Sequence, residues 1–300
     1  VDLPVAAEAK QAAGAEGWLL ADTYSRARPL PGFVLGFSGH SVPKLVASAE
    51  RRADALLSRR SALAKWAASI DEPPHLEPAL RRADVALIAE IKRASPSRGA
   101  IRLELDPQEQ ARAYESGGAA AISILTEPQR FNGSNGDIEA ASGVINIPIL
   151  RKDFHVAAVQ LYEARSLGAS AALIIARALS PGRFKLLVKS AKQIGLEVLA
   201  EVRDRRELDL ALTAGCTIIG VNNRNLETLQ MEKGTAEALI PHIPGECIAV
   251  AESGYSDLAS IRSVADGGAD AVLIGSFLSA ASDATLAVRN LTGVKRVDRA

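Results

Sequence analysis

VALIAEIKRASPSRG (85–99) begins as a strand bound for the middle of a protein and ends in chemistry. Val85, Ala86, Leu87, Ile88 and Ala89 are apolar without a break, as expected of a parallel strand covered on both faces. Side chains alternate along a strand, so Ile88, Glu90 and Lys92 point the same way. A carboxylate and an ammonium group are thereby aimed into one space. The turn that follows, Ser-Pro-Ser-Arg-Gly, is not the GxGxxG with which a doubly wound open sheet usually leaves its first strand.

Seven further runs repeat the theme: AAAISILTE (119–127), IPILRKDF (147–154), SAALIIAR (170–177), LEVLAEVR (196–203), TIIGVNNR (217–224), CIAVAESG (247–254) and AVLIGSF (271–277). Between them lie stretches with apolar spacing near 3.6, such as DPQEQARAYESGG, SPGRFKLLVKSAKQIG and SDLASIRSVADGG. Several open on Asp or Ser, where an N-cap belongs, and close on Gly, where a helix stops. Eight strands alternating with helices predict an α/β protein, a (β/α)8 TIM barrel with an N-terminal helical extension. A length of 300 residues suits one such domain. Residues 42–300 are expected to form the barrel domain with a leading helix. Residues 1–41 are read as an N-terminal extension, either flexible or a small docking segment. Asp2, Glu8, Glu16 and Asp22 argue against a transit peptide.

Composition limits the partners. Thirty-five basic residues balance thirty-five acidic ones, so no global field draws the chain to nucleic acid or to an anionic membrane. No apolar run approaches the ~20 residues of a membrane span, and no signal-peptide pattern opens the chain; a cytoplasmic protein is expected. Cys216 and Cys247 form no CxxC pair and read as small buried hydrophobes. His40, His75, His155 and His242 are scattered, which predicts no metal site.

Barrel active sites sit at the C-terminal ends of the strands. Five of the runs end in polar groups: Glu90 and Lys92; Arg151, Lys152 and Asp153; Glu201 and Arg203; Asn222, Asn223 and Arg224; Glu252 and Ser253. One such ending is only a strand leaving the core, but five around one barrel predict a catalytic rim. Opposite charges there would tune one another for acid–base work. The last two runs place Ser253–Gly254 and Gly275–Ser276 directly after apolar residues, a suitable cradle for a phosphate. A small phosphorylated substrate is the expected partner.

Taken in order, IAEIKRASPSRG, ISILTEPQRFNGS, PILRKDF, LAEV, IIGVNNRNLETL, VAESG and LIGS resemble the indole-3-glycerol phosphate synthase family over about residues 45–290. The resemblance implies ring closure of 1-(o-carboxyphenylamino)-1-deoxyribulose 5-phosphate with loss of carbon dioxide and water, in tryptophan biosynthesis, without cofactor or metal. It implies that Lys152 is a general acid and that Glu201 stabilises positive charge on the anilino nitrogen or removes a proton. Glu90 and Lys92 would serve the substrate carboxylate and the dehydration, with the step belonging to each lysine left open. Asn222 and Glu252 complete the expected catalytic set. Ser95, Phe131, Arg224, Ser253, Gly254, Gly275 and Ser276 are expected to contact substrate, Phe131 packing on the anthranilate ring. A monomer or weak homodimer is expected. The competing readings are another phosphosugar barrel, such as the isomerase that precedes this step, and a catalytically silent barrel that binds a phosphometabolite and scaffolds a partner.

Overall fold

The computed structural model describes residues 42–299, so the extension expected over 1–41 lies outside the described residues. Eight parallel strands close into a barrel: β1 (Ala86–Ile91), β2 (Ala121–Leu125), β3 (Ile149–Lys152), β4 (Ala171–Ile175), β5 (Glu197–Val202), β6 (Ile218–Asn222), β7 (Ile248–Glu252) and β8 (Ala271–Ile274). Each pairs with its neighbours in sequence, and β1 closes the ring against β8 through Ile88↔Leu273. The eight apolar runs are these eight strands. The SPSRG stretch adds a short hairpin, Ala94–Ser95 against Gly99–Ala100, beyond the end of β1.

Strand alternation sorts the apolar residues into two cores. Ile88, Leu150, Leu173, Leu199, Ile218 and Val250 fill the barrel interior, while Leu87, Ile122, Ile124, Ile174 and Ile219 pack outward against the helices. The helix signals hold at residue level. The Asp106 carboxylate accepts from the Gln108 and Glu109 amides, and Asp204, Asp257 and Ser180 cap their helices in the same manner.

Residues 42–70 hold the expected leading helix and a second one behind it. Helix α1 (Val42–Leu56) and helix α2 (Arg60–Ser69) are joined by a single 3-10 turn at Leu57–Arg59. Leu56, Leu57 and Arg59 supply no side-chain cap, so the break carries no mark that a sequence pattern would reveal. Helix α1 flanks the mouth of the barrel. Its Leu45 lines the cavity there, and the Arg52 fork donates to both oxygens of Asp153 at 2.8 Å.

Asp153 also accepts from the Thr126 hydroxyl at 2.8 Å and the Phe154 amide at 2.7 Å, with Arg151 3.6 Å away. Burial by itself would raise its pKa; the Arg52 hydrogen bonds and the Arg151 and Arg52 charges win and hold it at about 2. The carboxyl is therefore more acidic folded than unfolded, and it contributes stability above pH ~4 that fades as pH falls toward 2. Asp153→Ala strands the Arg52 guanidinium, whereas Arg151 keeps Glu163, and the expected loss is about 3 kcal/mol at neutral pH. Urea denaturation of both proteins at pH 7 and pH 3 checks this: the gap should narrow at the lower pH.

At the opposite end, the C-terminal tail closes the floor. The Val85 amide donates to Val294 O at 2.8 Å, and the main chain at Lys295 forms an isolated antiparallel β-bridge with Asp84. Arg296 and Arg299 both pair with Asp270, whose carboxylate also accepts from the Ala249 amide. Cys216 and Cys247 are buried, as read from the sequence.

Candidate active site

The C-terminal ends of the strands surround a cavity of about 290 Å³. Glu90 from β1, Glu201 from β5 and Glu252 from β7 are 2%, 2% and 1% exposed, so these charges have almost no water to solvate them. They are answered by two ammonium groups. Lys92 Nζ lies 2.6 Å from Glu90 Oε1. Lys152 Nζ sits between all three carboxylates, 2.5 Å from Glu252 Oε2, 3.9 Å from Glu201 Oε2 and 4.0 Å from Glu90 Oε2.

Three carboxylates against two ammonium groups leave one negative charge in excess, and the excess is felt at Glu201. Burial, and then the charge of Glu252, push its carboxyl up to about 7, with Lys152 pulling the other way. Its Oε1 is buried without a hydrogen-bond partner, as is Oε1 of Glu252. For Lys152, burial alone would lower the pKa, but Glu252, Glu90 and Glu201 together raise it above its ordinary value. Burial would likewise raise Glu90, and the Lys92 and Lys152 charges bring it below the usual carboxylate range. The site thus holds a firmly protonated lysine beside a carboxyl poised near neutrality. Such an arrangement can donate a proton at one atom and take one at another.

All thirteen site residues expected from the sequence come together here. Glu90, Lys92, Ser95, Phe131, Lys152, Glu201, Asn222, Arg224, Ser253, Gly254, Gly275 and Ser276 line the cavity, and Glu252 lies just beneath through its contact with Lys152. The Asn222 side-chain Oδ1 accepts from the Arg224 amide at 2.9 Å, and the Arg224 guanidinium donates to Leu229 O at 2.8 Å. Ser253 and Gly254 both have positive φ, 67° and 95°, a bend that turns successive backbone N–H groups toward one side. Gly275 has a second reason to lack a side chain: a Cβ there would overlap the Glu90 carboxylate and stand 2.8 Å from Lys92 Nζ.

Three of the polar strand endings do not join the rim. Arg151 faces the helices, donating to Asn135 Oδ1 at 2.9 Å and Glu163 Oε2 at 2.8 Å. Arg203 donates to Asn222 O and to Glu232. Asn223 binds Ser253 O, Tyr255 Oη and the Ala236 amide. Arg151 precedes Lys152 and Asn223 follows Asn222 by one position, and the period of two sends both to the other face. Arg203 lies one residue past the end of β5, where its bonds to Asn222 O and Glu232 hold it.

The sequence reading missed the apolar wall. Leu173 and Ile175 of β4, with Leu45 and Leu226, line the cavity together with the expected Phe131. The inward positions of β4 were legible from alternation, but Leu45 and Leu226 arrive from a helix and a loop with no local mark. Arg98 of the SPSRG turn also faces the cavity, where its charge acts on Arg224.

Comparison with known proteins agrees with this geometry. A family model described as indole-3-glycerol phosphate synthase matches residues 44–291. The indole-3-glycerol phosphate synthase of Mycolicibacterium vanbaalenii is 46% identical over 213 residues, 71% of this chain and 78% of that one. That of Rhodococcus jostii is 44% identical over 227 residues, 75% and 84% of the two chains. Among solved structures, thiamine phosphate pyrophosphorylase from Pyrococcus furiosus superposes with a TM-score of 0.54 at 16% identity, over 69% of this chain and 93% of its own. At that identity the likeness bears on the barrel fold alone. Sequence relatives and site agree, and the chain belongs to the indole-3-glycerol phosphate synthase family.

Proposed function

We propose that the cluster of Glu90, Lys92, Lys152, Glu201 and Glu252 carries out the family's ring closure, converting 1-(o-carboxyphenylamino)-1-deoxyribulose 5-phosphate into indole-3-glycerol phosphate, carbon dioxide and water. The observation that carries the assignment of roles is Lys152 held among three buried carboxylates, one of them poised near neutrality.

In the first step the aryl carbon that bears the carboxylate attacks the ketose carbonyl carbon. The carbonyl π pair moves onto oxygen and takes a proton from Lys152. Although its pKa is raised, Lys152 remains a stronger acid than the alcohol it creates. The anilino nitrogen lone pair is drawn into the ring, and Glu201 stabilises the resulting cation. The bond to the carboxylate then breaks, its electron pair neutralises the cation, and carbon dioxide leaves. In the dehydration Lys92 protonates the departing hydroxyl and Glu201 takes the proton from the adjacent carbon, completing the indole. Two protons are given and one is taken back, so one proton from solvent restores the lysines at each turnover. Proton transfer and charge stabilisation each contribute on the order of 10²–10⁴-fold. The chemistry calls for no cofactor.

Shape supports the same orientation. The apolar wall of Leu173, Ile175, Leu226 and Phe131 suits the aromatic ring. Ser95, Ser253, Gly254, Gly275 and Ser276, at the ends of β1, β7 and β8, suit the phosphate. Incubation with the anilino-deoxyribulose phosphate should give an indole fluorescence rise with one carbon dioxide released per indole. A folded protein that binds the substrate and releases neither product would overturn the assignment in favour of a silent phosphate-binding barrel.

A further inference from the structure

We infer that Gly220 is a positioning residue for the reaction: the space left by its missing side chain is the seat of the Glu252 carboxylate, and through that seat it sets the geometry around Lys152 and Glu201. Gly220 lies inside β6, in register with Glu201 of β5 on one side and Val250 of β7 on the other. Glu252, two residues further along β7, pairs with Asn222. Its carboxylate leans back along the strand into the gap over Gly220. A Cβ built there would overlap Glu252 Oε1, lie 3.2 Å from its Cδ and lie 3.3 Å from Leu199 Cδ1. No hydrogen bond holds Oε1 in that place, since the atom is buried and without a partner. Shape alone admits it.

The seat has two consequences. It brings Oε2 of Glu252 to 2.5 Å from Lys152 Nζ, the shortest of the three contacts that orient the ammonium group. It also sets one carboxylate beside another, because the cross-strand neighbour of Gly220 is Glu201. The charge of Glu252 is, after burial, the largest influence raising the Glu201 carboxyl. Strand alternation gives no other residue type this role: any side chain at position 220 would enter the same space, since inward positions of a small barrel are close-packed. The position is distinct from the catalytic ones because Gly220 offers no functional group and acts only through Glu252.

The inference rests on the functional reading above for its kinetic part and stands apart from it for its titration part. Gly220→Ala should lower kcat about 30-fold or more by mislaying the lysine and its partner, with KM changed less. In a Glu252→Ala background, where no carboxylate competes for the space, the same substitution should cost under about threefold, as expected of residues acting as one unit. Independently of turnover, carboxyl 13C NMR of the ligand-free protein should find the Glu201 midpoint near 7 in the wild type and clearly lower in Gly220→Ala. Equal cost of Gly220→Ala in both backgrounds, or an unmoved Glu201 midpoint, would overturn the inference. So would failure of both variants to fold, because the glycine would then be needed for something other than Glu252. Absence of turnover in the wild type with the expected titration shift would count against the reaction and leave the seat intact.

Discussion

Lys152→Ala is expected to reduce kcat by about 10³-fold or more, with the barrel still folded and still binding substrate. The lysine makes the only cationic contact to Glu201 and Glu252 among the described ion pairs, and it is the group central to all three carboxylates. Removing it leaves Glu90, Glu201 and Glu252 facing Lys92 alone, so Glu90 and Glu201 lose a charge that holds their pKa down and the carbonyl oxygen loses its donor. Arginine should not restore the activity, because a planar fork cannot occupy the point position between three carboxylates and gives up its proton far less readily. Stopped-flow indole fluorescence gives the rate, and a melting curve confirms that the protein is folded. Retention of activity within tenfold would reassign the first proton transfer to Lys92, the other ammonium group of the site.

The second large effect concerns Glu201. Its carboxyl titrates near 7 in the folded protein, well above an ordinary glutamate. As a base it works only when ionised. The kcat/KM profile should therefore climb with pH to a plateau, its acid limb bending near 7, since that parameter reports the free enzyme. Glu201→Gln should remove the limb and lower kcat/KM by about 10²–10³-fold. Stability should move the other way. A carboxyl whose folded pKa is raised favours the folded state least once it is ionised in both states, above about pH 7. The glutamine variant, freed of the excess buried charge, should melt above the wild type at pH 8 and lose that advantage toward pH 4. An unchanged acid limb in the variant would show that another group limits the profile.

Much of this was written in single strands. Val85–Ala89 followed by Glu90 contains both the buried strand and its catalytic ending, and the same holds for LAEV and VAESG, because a barrel strand must be apolar within and polar where it emerges. What a strand cannot disclose is its neighbour. Gly220 reads as an unremarked glycine in TIIGVNNR until register sets Glu252 against it. Arg151 reads as a rim charge until alternation turns it outward onto Glu163, and Arg203 until it is seen to leave the end of β5 and pair with Glu232. The break between α1 and α2 escaped because three ordinary residues form it without a capping side chain. Leu45 was invisible as a wall of the site because the contact depends on where a helix remote in sequence comes to rest.

The tail that latches the floor has a bearing on how such an enzyme can change over evolutionary time. Arg296 and Arg299 grip Asp270 and the carbonyls of Ile243, Gly268 and Cys247 at the end of the barrel away from the chemistry. Glu90, Lys152, Glu201 and Glu252 occupy the other end, and the strands between are filled by Ile88, Leu150, Leu199 and Val250. A lineage moving to a hotter habitat can thus tighten the latch without disturbing the rim. The floor is one address for heat tolerance that the chemistry does not share, joined to the rim only by the strands that run from one to the other.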